Sequence, residues 1–226
     1  FGVDGQPILH KWYGYAKETQ KYNSKGKSIE TSYFGVDGKP KLHKEYGYSK
    51  ATQKYDSEGK VIEVSYFGVD GEPILSDDGY SKETQKYDRQ GKVIEVSYFG
   101  VDGQAIIPKW RSYTRLTTKY HQNGERSEEL YYGIDGLNRT KKYDRQGNEI
   151  EELYFGVDGK PKLHKERGYS KLTQKYDSNG NAIELAIFGV DGLPVLDKVT
   201  GLAKLTALFD KNSKRIKLSV FGVDGK

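Results

Sequence analysis

The sequence predicts an all-β fold: an elongated tandem-repeat array of antiparallel β-hairpins, arranged as a meander in a twisted sheet or β-spiral. Three observations predict it. The motif F-G-V-D-G recurs along the whole chain, strand-like segments flank a glycine turn after most copies, and the composition is too polar for one thick core. A closed propeller built from the same hairpins is the alternative architecture.

The motif F-G-V-D-G, with one variant Y-G-I-D-G at Tyr132, sets the period of the chain. Its copies begin at intervals of 33, 33, 32, 33, 23, 33 and 33 residues. A fixed period of this size is typical of stacked repeats, in which each repeat contacts only its neighbours. Seven repeats and the start of the next follow: 1–33, 34–66, 67–98, 99–131, the short repeat 132–154, 155–187, 188–220, and 221–226. Because the chain starts on a motif without Met and stops just after one, we expect it to be a piece of a longer array.

The composition bounds both fold and function. Hydrophobic residues make up 35% and charged residues 31%, so each repeat can bury only a thin face, while 19 Tyr and 8 Phe exclude a disordered chain. The absence of Cys excludes disulfides and thiolate metal sites. No apolar run approaches the roughly 20 residues of a membrane span. A formal charge of +5 over seven repeats is too weak to predict a nucleic-acid partner.

The best strand signals in one repeat flank a turn. Residues 52–55 and 61–67 read as strands on either side of the turn 56–60. Its pattern D-x-x-G favours a tight turn, because Gly accepts a positive φ and Asp hydrogen-bonds its own turn backbone. The motif V-D-G supplies a second turn. Two turns per repeat predict a meander.

The register of this hairpin follows from its charges. A pairing in which residue numbers sum to 117 sets Lys54 opposite Glu63 and Tyr55 opposite Ile62, which gives one aromatic and aliphatic face and one charged face. A sum of 116 would mix the two faces, so we predict the first register. The same Lys and Glu positions recur as Lys21/Glu30, Lys86/Glu95, Lys119/Glu128, Lys142/Glu151 and Lys175/Glu184.

Differences in repeat length show which part is the framework. The short repeat 132–154 lacks the stretch that corresponds to residues 40–50. Because length variation concentrates in loops, we predict that a hairpin of about twenty residues is the basic element and that the remainder is a loop or a short extra strand.

The Y-D-x-x-G core of the hairpin, present at 55–59, 87–91, 143–147 and 176–180, resembles the tandem YD repeats of bacterial RHS proteins. The hairpin is also similar to MORN-type repeats and to bacterial cell-wall-binding repeats. These resemblances imply extended β-scaffolds that serve as shells, adhesive stalks or platforms, and they carry no catalytic residues to transfer. They cover the hairpin half of most repeats.

The polar residues that could bind metals recur once per repeat. One carboxylate per Asp-Gly turn supplies too few of the roughly six to eight oxygens that calcium needs. The three His of the L-H-K element, His10, His43 and His164, are a whole repeat apart, whereas zinc needs ligands at roughly 2 Å, so we expect exposed loop residues. No Ser/His/Asp set recurs. We therefore predict a chain that is not an enzyme, with no catalytic residue, cofactor or metal. The Asp-Gly carboxylates belong to Asp37, Asp70, Asp102, Asp135, Asp158, Asp191 and Asp224.

One element is a candidate binding site: G-Y-S-K places an aromatic beside a cation once per long repeat. Such a row can stack on sugar rings or hold an anionic polymer. The alternative is that the Tyr rings cover the apolar face of the sheet while the cations are solvated. The candidate residues are Tyr15, Lys17, Tyr48, Lys50, Tyr80, Lys82, Tyr113, Arg115, Tyr169 and Lys171.

The last repeat breaks the charge pattern. Leu208 stands where other repeats have Lys, and Lys217 stands where they have Glu. Part of the charged face thereby becomes apolar, which predicts that another protein or domain packs on the last repeat.

These observations predict a non-catalytic repeat scaffold, namely a stalk, adhesive or interaction segment of a larger bacterial surface or secreted protein. The alternative is an array that binds carbohydrate or an anionic cell-surface polymer. We expect a secreted or cell-surface location.

Removal of calcium tests the interpretation of the Asp-Gly turns. Because we assign these carboxylates to the turns, addition of EDTA should leave the melting temperature unchanged. A drop of several degrees that calcium restores would instead identify binding-linked stability.

Overall fold

The computed structural model describes residues 6–225, so the first F-G-V-D-G copy, at 1–5, lies outside the described residues. The described residues form fourteen β-strands. They are β1 (Lys17–Tyr22), β2 (Ser28–Phe34), β3 (Lys50–Tyr55), β4 (Val61–Phe67), β5 (Lys82–Tyr87), β6 (Val93–Phe99), β7 (Arg115–Tyr120), β8 (Arg126–Gly133), β9 (Gly136–Tyr143), β10 (Glu149–Tyr154), β11 (Lys171–Tyr176), β12 (Ala182–Phe188), β13 (Lys204–Phe209) and β14 (Arg215–Phe221). Within this part of the chain, no helix is long and apolar enough to cross a membrane.

The order of the strands in the sheet is their order in the chain, from β1 to β14. The result is a tandem antiparallel hairpin sheet, an open meander, which confirms the predicted fold class and two strands per repeat. The propeller alternative is wrong, because a propeller divides its strands among separate blades and these fourteen belong to one sheet. The chain separates into two compact segments, Phe1–Leu116 and Thr117–Lys226.

The register within the hairpins is mostly as predicted. Lys54 lies opposite Glu63, with the Nζ and Oε1 atoms 2.8 Å apart. Tyr55, however, lies opposite Val61 and not opposite Ile62, because a β-bulge shifts the register after Lys54. In the strands the numbers of paired residues thus sum to 117, whereas next to the turn they sum to 116. The same shift recurs in the other hairpins whose pairing is described in full.

The hydrogen bonds of the turn explain why the register with a sum of 116 is needed next to it. The Asp56 amide donates to the Lys60 carbonyl, and the Asp56 carboxylate accepts hydrogen bonds at 2.9 Å from the amides of both Glu58 and Lys60. Gly59 has a φ of 84°, in the left-handed region that favours glycine. This closed turn pairs residue 56 with residue 60, and the bulge then reconciles the turn with the ion pairs of the strands.

Successive hairpins are offset from one another by two residues. Glu63 pairs with Lys54 on one side and with Thr84 on the other, while Ser65 lies opposite Lys82. The lysine that begins the first strand of a hairpin, such as Lys82, therefore lies diagonally across from the glutamate of the preceding hairpin. Glu184 shows the consequence, because its carboxylate oxygens contact the ammonium groups of Lys175 at 2.8 Å and Lys204 at 2.7 Å.

The core of the first segment is a row of tyrosines on one face of the sheet. Tyr66, near the end of β4, lies between Tyr48 from the loop of its own repeat and Tyr80 from the loop of the next. The ring centroids are 4.5 Å and 5.7 Å apart. Tyr98 continues the row at 4.9 Å from Tyr80. In the second segment, a cluster of Tyr169, Leu172 and Ile187 takes the place of this row.

Candidate functional site

The tyrosine and the lysine of the G-Y-S-K element lie on opposite faces of the sheet. Tyr48 stacks on Tyr66, whereas Lys50 pairs with Phe67 and its Nζ lies 4.4 Å from the centroid of that ring. Tyr66 and Phe67 are successive residues of one strand, so their side chains point to opposite faces. The element therefore does not form one composite aromatic and cationic surface.

The candidate tyrosines belong to the aromatic side of the sheet. Tyr80 and Tyr169 are buried, and Tyr15, Tyr48 and Tyr113 are half-buried. Burial raises the pKa of Tyr48, and also of Tyr80, whose hydroxyl donates to Glu83 Oε2 at 3.2 Å. The placement favours the interpretation in which these rings cover the sheet.

The candidate cations make contacts within the chain. The ammonium groups of Lys17 and Lys82 lie over Phe34 and Phe99, at 5.6 Å and 4.7 Å from the ring centroids. Lys171 follows a different arrangement and contacts Glu151 Oε2 at 2.6 Å. Arg115 begins β7 at the corresponding position.

The serine between the tyrosine and the cation is also structural. Ser49 and Ser170 are buried, and the Ser49 hydroxyl donates to the Gly68 carbonyl at 2.6 Å. Its amide donates to the carbonyl of Phe67, at the end of the partner strand. This small polar residue ties the loop to the hairpin and leaves room for the aromatic row.

In the F-G-V-D-G loop, four of the five positions have an internal role. The Asp37 carboxylate accepts the Lys39 amide at 3.1 Å, and a Cβ on Gly35 would lie only 2.8 Å from that carboxylate. Gly38 has a φ of 74°, and Phe34 receives the lysine. These hydrogen bonds fit the predicted turn role of the aspartates. Within residues 6–225, no three His, Cys, Asp or Glu residues are grouped so that they could hold a metal ion.

The third position of the motif is different, because its side chain is more than half exposed in every described copy. These residues are Val36, Val69, Val101, Ile134, Val157, Val190 and Val223. Their exposure leaves an apolar residue on each V-D-G turn, a place where polar residues usually stand.

The prediction that the histidines are exposed is wrong for His43, of which only 3% is exposed. Its Nδ1 atom accepts hydrogen bonds from the amides of Glu45 at 3.2 Å and Tyr46 at 3.3 Å, and its ring stacks on Tyr46 at a centroid distance of 4.0 Å. The imidazole is buried because it caps a turn. Asp197 does the same in the last repeat, where its carboxylate accepts two amides. His164 is half-buried, and His10 is exposed.

A buried charged network that the sequence analysis missed joins the short repeat 132–154 to the repeat before it. The Glu129 carboxylate accepts hydrogen bonds from the hydroxyls of Tyr131 and Tyr143, each at 2.6 Å, and from Arg126 Nη1 at 2.9 Å. Burial acts to raise the pKa of Glu129, but these three hydrogen bonds outweigh it and hold that pKa below its ordinary value. The carboxylate therefore stays charged and serves packing.

The same network also covers the ring of Tyr131. The Arg139 guanidinium lies 3.9 Å from the centroid of the Tyr131 ring, and its Nη1 is 3.4 Å from Glu152 Oε1. One signal was present in the sequence: Glu129 and Glu152 occupy the positions at which most other repeats have an aliphatic residue such as Val64.

The burial of His43 predicts a dependence of stability on pH. Desolvation lowers the pKa of His43, so the folded chain favours the neutral imidazole that accepts the two amides. Its contribution is complete above the unfolded pKa of about 6.5 and is lost as the pH falls below it. The melting temperature should therefore fall between pH 7.5 and 5.5. His43→Ser, which copies Ser76 of the next repeat, should reduce that fall more than His10→Ser, and equal slopes in the two variants would contradict the assignment.

The aromatic row can be tested by truncation. Tyr48, Tyr80 and Tyr169 changed to Ala together should lower the free energy of unfolding by several kcal/mol, since a buried aromatic truncated to Ala loses about 3–5 kcal/mol and Tyr48 is only half-buried. The control is Trp12→Ala with Trp110→Ala, because these rings are 72% and 81% exposed and each change should stay within about 0.5 kcal/mol. Chemical denaturation measures both variants. A triple variant as stable as the control would show that the fold does not need these tyrosines, and they would remain candidates for binding.

Comparison with known proteins gives no family for this chain. No protein-family model matches it, and no curated protein matches it in sequence. Among solved structures, it is similar to the crystal structure of TcdB2-TccC3, with a TM-score of 0.35, 11% identity, and coverage of 94% of this chain and 12% of that chain. It is also similar to a mutant Photorhabdus luminescens Tc holotoxin pore, with a TM-score of 0.32, 10% identity, and coverage of 89% and 12%. The chain thus spans about 12% of the length of the chains to which it is similar.

Proposed function

We propose that this chain is a non-catalytic repeat scaffold, and that it acts as a stalk, adhesive or interaction segment of a larger bacterial protein that is secreted or displayed on the cell surface. The resemblance of its Y-D-x-x-G hairpins to YD repeats of RHS proteins agrees with such a role. The observation that carries the proposal is that the polar side chains that recur from repeat to repeat form hydrogen bonds and ion pairs within the repeats.

These hydrogen bonds and ion pairs follow a consistent pattern. Asp56 caps its hairpin turn, Asp37 caps the motif turn, and His43 caps the loop turn. Lys54 and Glu63 pair across the strands. Groups that serve turns and register in one repeat after another support a structural purpose better than a catalytic one.

The interaction role has a physical candidate in the exposed residues of the V-D-G turns, which we call the valine row. Nothing in the turn requires valine, since Asp and the glycines provide the turn geometry. An apolar side chain held on a rigid turn can bury against a partner at little entropic cost. The valine row is therefore the contact surface that we assign to the scaffold.

The runner-up function, binding of carbohydrate or of an anionic polymer, would use the candidate tyrosines and cations together. Because the tyrosines and the cations lie on opposite faces of the sheet, they do not form the joint surface that favoured this function. A glycan array supplemented with polyglutamate, read at about 150 mM salt, distinguishes the two functions. The scaffold predicts no saccharide-specific or polyanion-specific binding, whereas a hit that Tyr48→Ala abolishes would establish the runner-up.

Polar substitution tests the valine row. Val36, Val69 and Val101 changed together to Thr should leave the melting temperature within about one degree, because exposed changes cost within about 0.5 kcal/mol each. The same variant should elute earlier than the unmodified chain from a phenyl matrix. A matched control changes Lys39, Glu72 and Gln104, exposed polar neighbours in the same loops, to Ser. A destabilised valine variant would make the row structural, and unchanged retention would remove it as a contact surface.

A further inference from the structure

Two long loops of the array have the same sequence but different neighbours. Residues 34–45 and 155–166 both read F-G-V-D-G-K-P-K-L-H-K-E. The loop at 34–45 follows a repeat that has a long loop of its own. The loop at 155–166 follows the short repeat, in which a tight turn between Gly133 and Gly136 joins β8 to β9. The first loop therefore shows what the shared sequence binds, and the second loop lacks that neighbour.

A turn from the preceding loop covers one side of the loop at 34–45. The Lys44 amide donates to the Tyr13 carbonyl at 2.9 Å. The rings of Tyr13 and Tyr15 lie at centroid distances of 5.1 Å and 5.4 Å from His43. Gly14 lies between these tyrosines, and a Cβ there would come within 2.6 Å of the Lys44 side chain. The sequence Tyr-Gly-Tyr thus supplies two rings, a carbonyl and the space for a lysine side chain.

The same backbone hydrogen bond links the other long loops that follow one another. An amide of each loop donates to a carbonyl of the loop before it. The pairs are Asp77 with Tyr46, Lys109 with Asp78, and Lys198 with Arg167, each at 2.9 Å. The long loops within each compact segment are therefore held together by one such bond per pair.

The loop at 155–166 has this side open. Within the part of the chain that the structure describes, the Lys165 amide has no hydrogen-bond acceptor, although the equivalent amide of the first loop has one. In that same part, the ring of His164 contacts those of Tyr154 and Tyr169, at centroid distances of 4.7 Å and 6.4 Å, and no ring of a preceding loop. His164 is accordingly half-buried, and Lys165 is exposed.

A substitution in the same loop uncovers His164 further. Arg167 stands where the first loop has Tyr46, whose ring stacks on its histidine at 4.0 Å. The Arg167 guanidinium instead binds the Asp197 carboxylate of the following repeat. The imidazole of His164 and the neighbouring amide of Lys165 are therefore free to receive a ring and a carbonyl.

From this comparison we propose that the open side of the loop at 155–166 binds a turn of a partner protein with the sequence Tyr-Gly-Tyr. The first tyrosine accepts the Lys165 amide at its carbonyl and stacks its ring on His164. The glycine leaves room for the lysine side chain. The second tyrosine covers Tyr154, which is the equivalent of Tyr33 in the first loop. Tyrosine suits such a contact, because its ring is apolar and its hydroxyl can remain in water.

A second copy of this chain is a poor occupant. Its Tyr-Gly-Tyr sequences stand at 13–15 and 46–48, and both already accept the amide of the loop that follows them. The turn therefore has to come from a different protein. The site uses no residue of the valine row, so this proposal and the proposed function stand or fall separately.

A peptide titration tests the proposal on the full chain. The probe is a cyclised peptide with the sequence of residues 9–16, whose ends a backbone hydrogen bond already holds together in the chain. Cyclisation reduces the entropic cost of ordering the turn. The control peptide carries Tyr13→Ala and Tyr15→Ala. NMR follows the amides of Lys165 and of Lys44, and the latter is a matched reference because its acceptor is already in place.

The peptide should shift the Lys165 amide signal and slow its hydrogen exchange, and it should leave the Lys44 amide unchanged. The control peptide should bind at least about tenfold more weakly, because it lacks both rings. The variant His164→Ser, which copies Ser76 of another long loop, should bind the probe as weakly as the unmodified chain binds the control. Amide signals of β11 and β12 confirm that the variant is folded.

Three results would overturn the proposal: no binding of the probe, equal binding of both peptides, or equal binding to the His164→Ser variant. A shift of the Lys165 amide that grows with protein concentration in the absence of peptide would assign the site to a second copy of the chain. That result would overturn the assignment to a different protein.

Discussion

The stacking of loop tyrosines on strand tyrosines is the interaction on which the repeats of the first segment depend. A β-hairpin on its own is marginally stable in water, and a single sheet buries its apolar face only if something covers it. Tyr48 and Tyr80 provide that cover from both sides of Tyr66, and each loop thereby joins two repeats. The long loop is thus a second layer that the chain supplies to its own sheet. The short repeat has no such loop and covers Tyr131 with Arg139, whose charge requires the buried carboxylates around it.

Much of the fold followed from the sequence because two patterns reinforced each other. The period of the motif defined the repeats, and the recurring Lys and Glu positions defined the register, as the pair Lys54 and Glu63 shows. The bulge after Lys54 was not predicted. The turn and the strands favour registers that differ by one residue, and the argument from the charge pattern assumed a single register for the whole hairpin. The His43 environment was missed for a related reason: a loop has no periodicity from which burial can be read.

The candidate site illustrates what spacing in a sequence leaves open. Residues two apart share a face in an extended strand, so Tyr48 and Lys50 formed a candidate binding pair, with coverage of the sheet by the Tyr rings as the alternative. Strand β3 begins at Lys50, however, and Tyr48 belongs to the loop, which turns its ring to the other face. Where a loop folds depends on tertiary contacts, here the hydrogen bonds of Ser49 and the aromatic row. The valine row was visible in the sequence as part of the motif F-G-V-D-G. Its role as an exposed surface became clear only from the structure, in which the other four residues of the motif make contacts within the loop.

The distribution of aromatic residues determines how the folding of this chain can be observed. Both indole rings, Trp12 and Trp110, stand in solvent, so tryptophan emission changes little between the folded and unfolded chain. The tyrosines carry the information instead. Burial raises the pKa of Tyr33 and of Tyr98 to about 12, well above the value of about 10 for a free phenol. At a pH between these values the folded chain keeps such phenols protonated and the unfolded chain ionises them, so ultraviolet absorption by phenolate becomes an intrinsic reporter of the packed row.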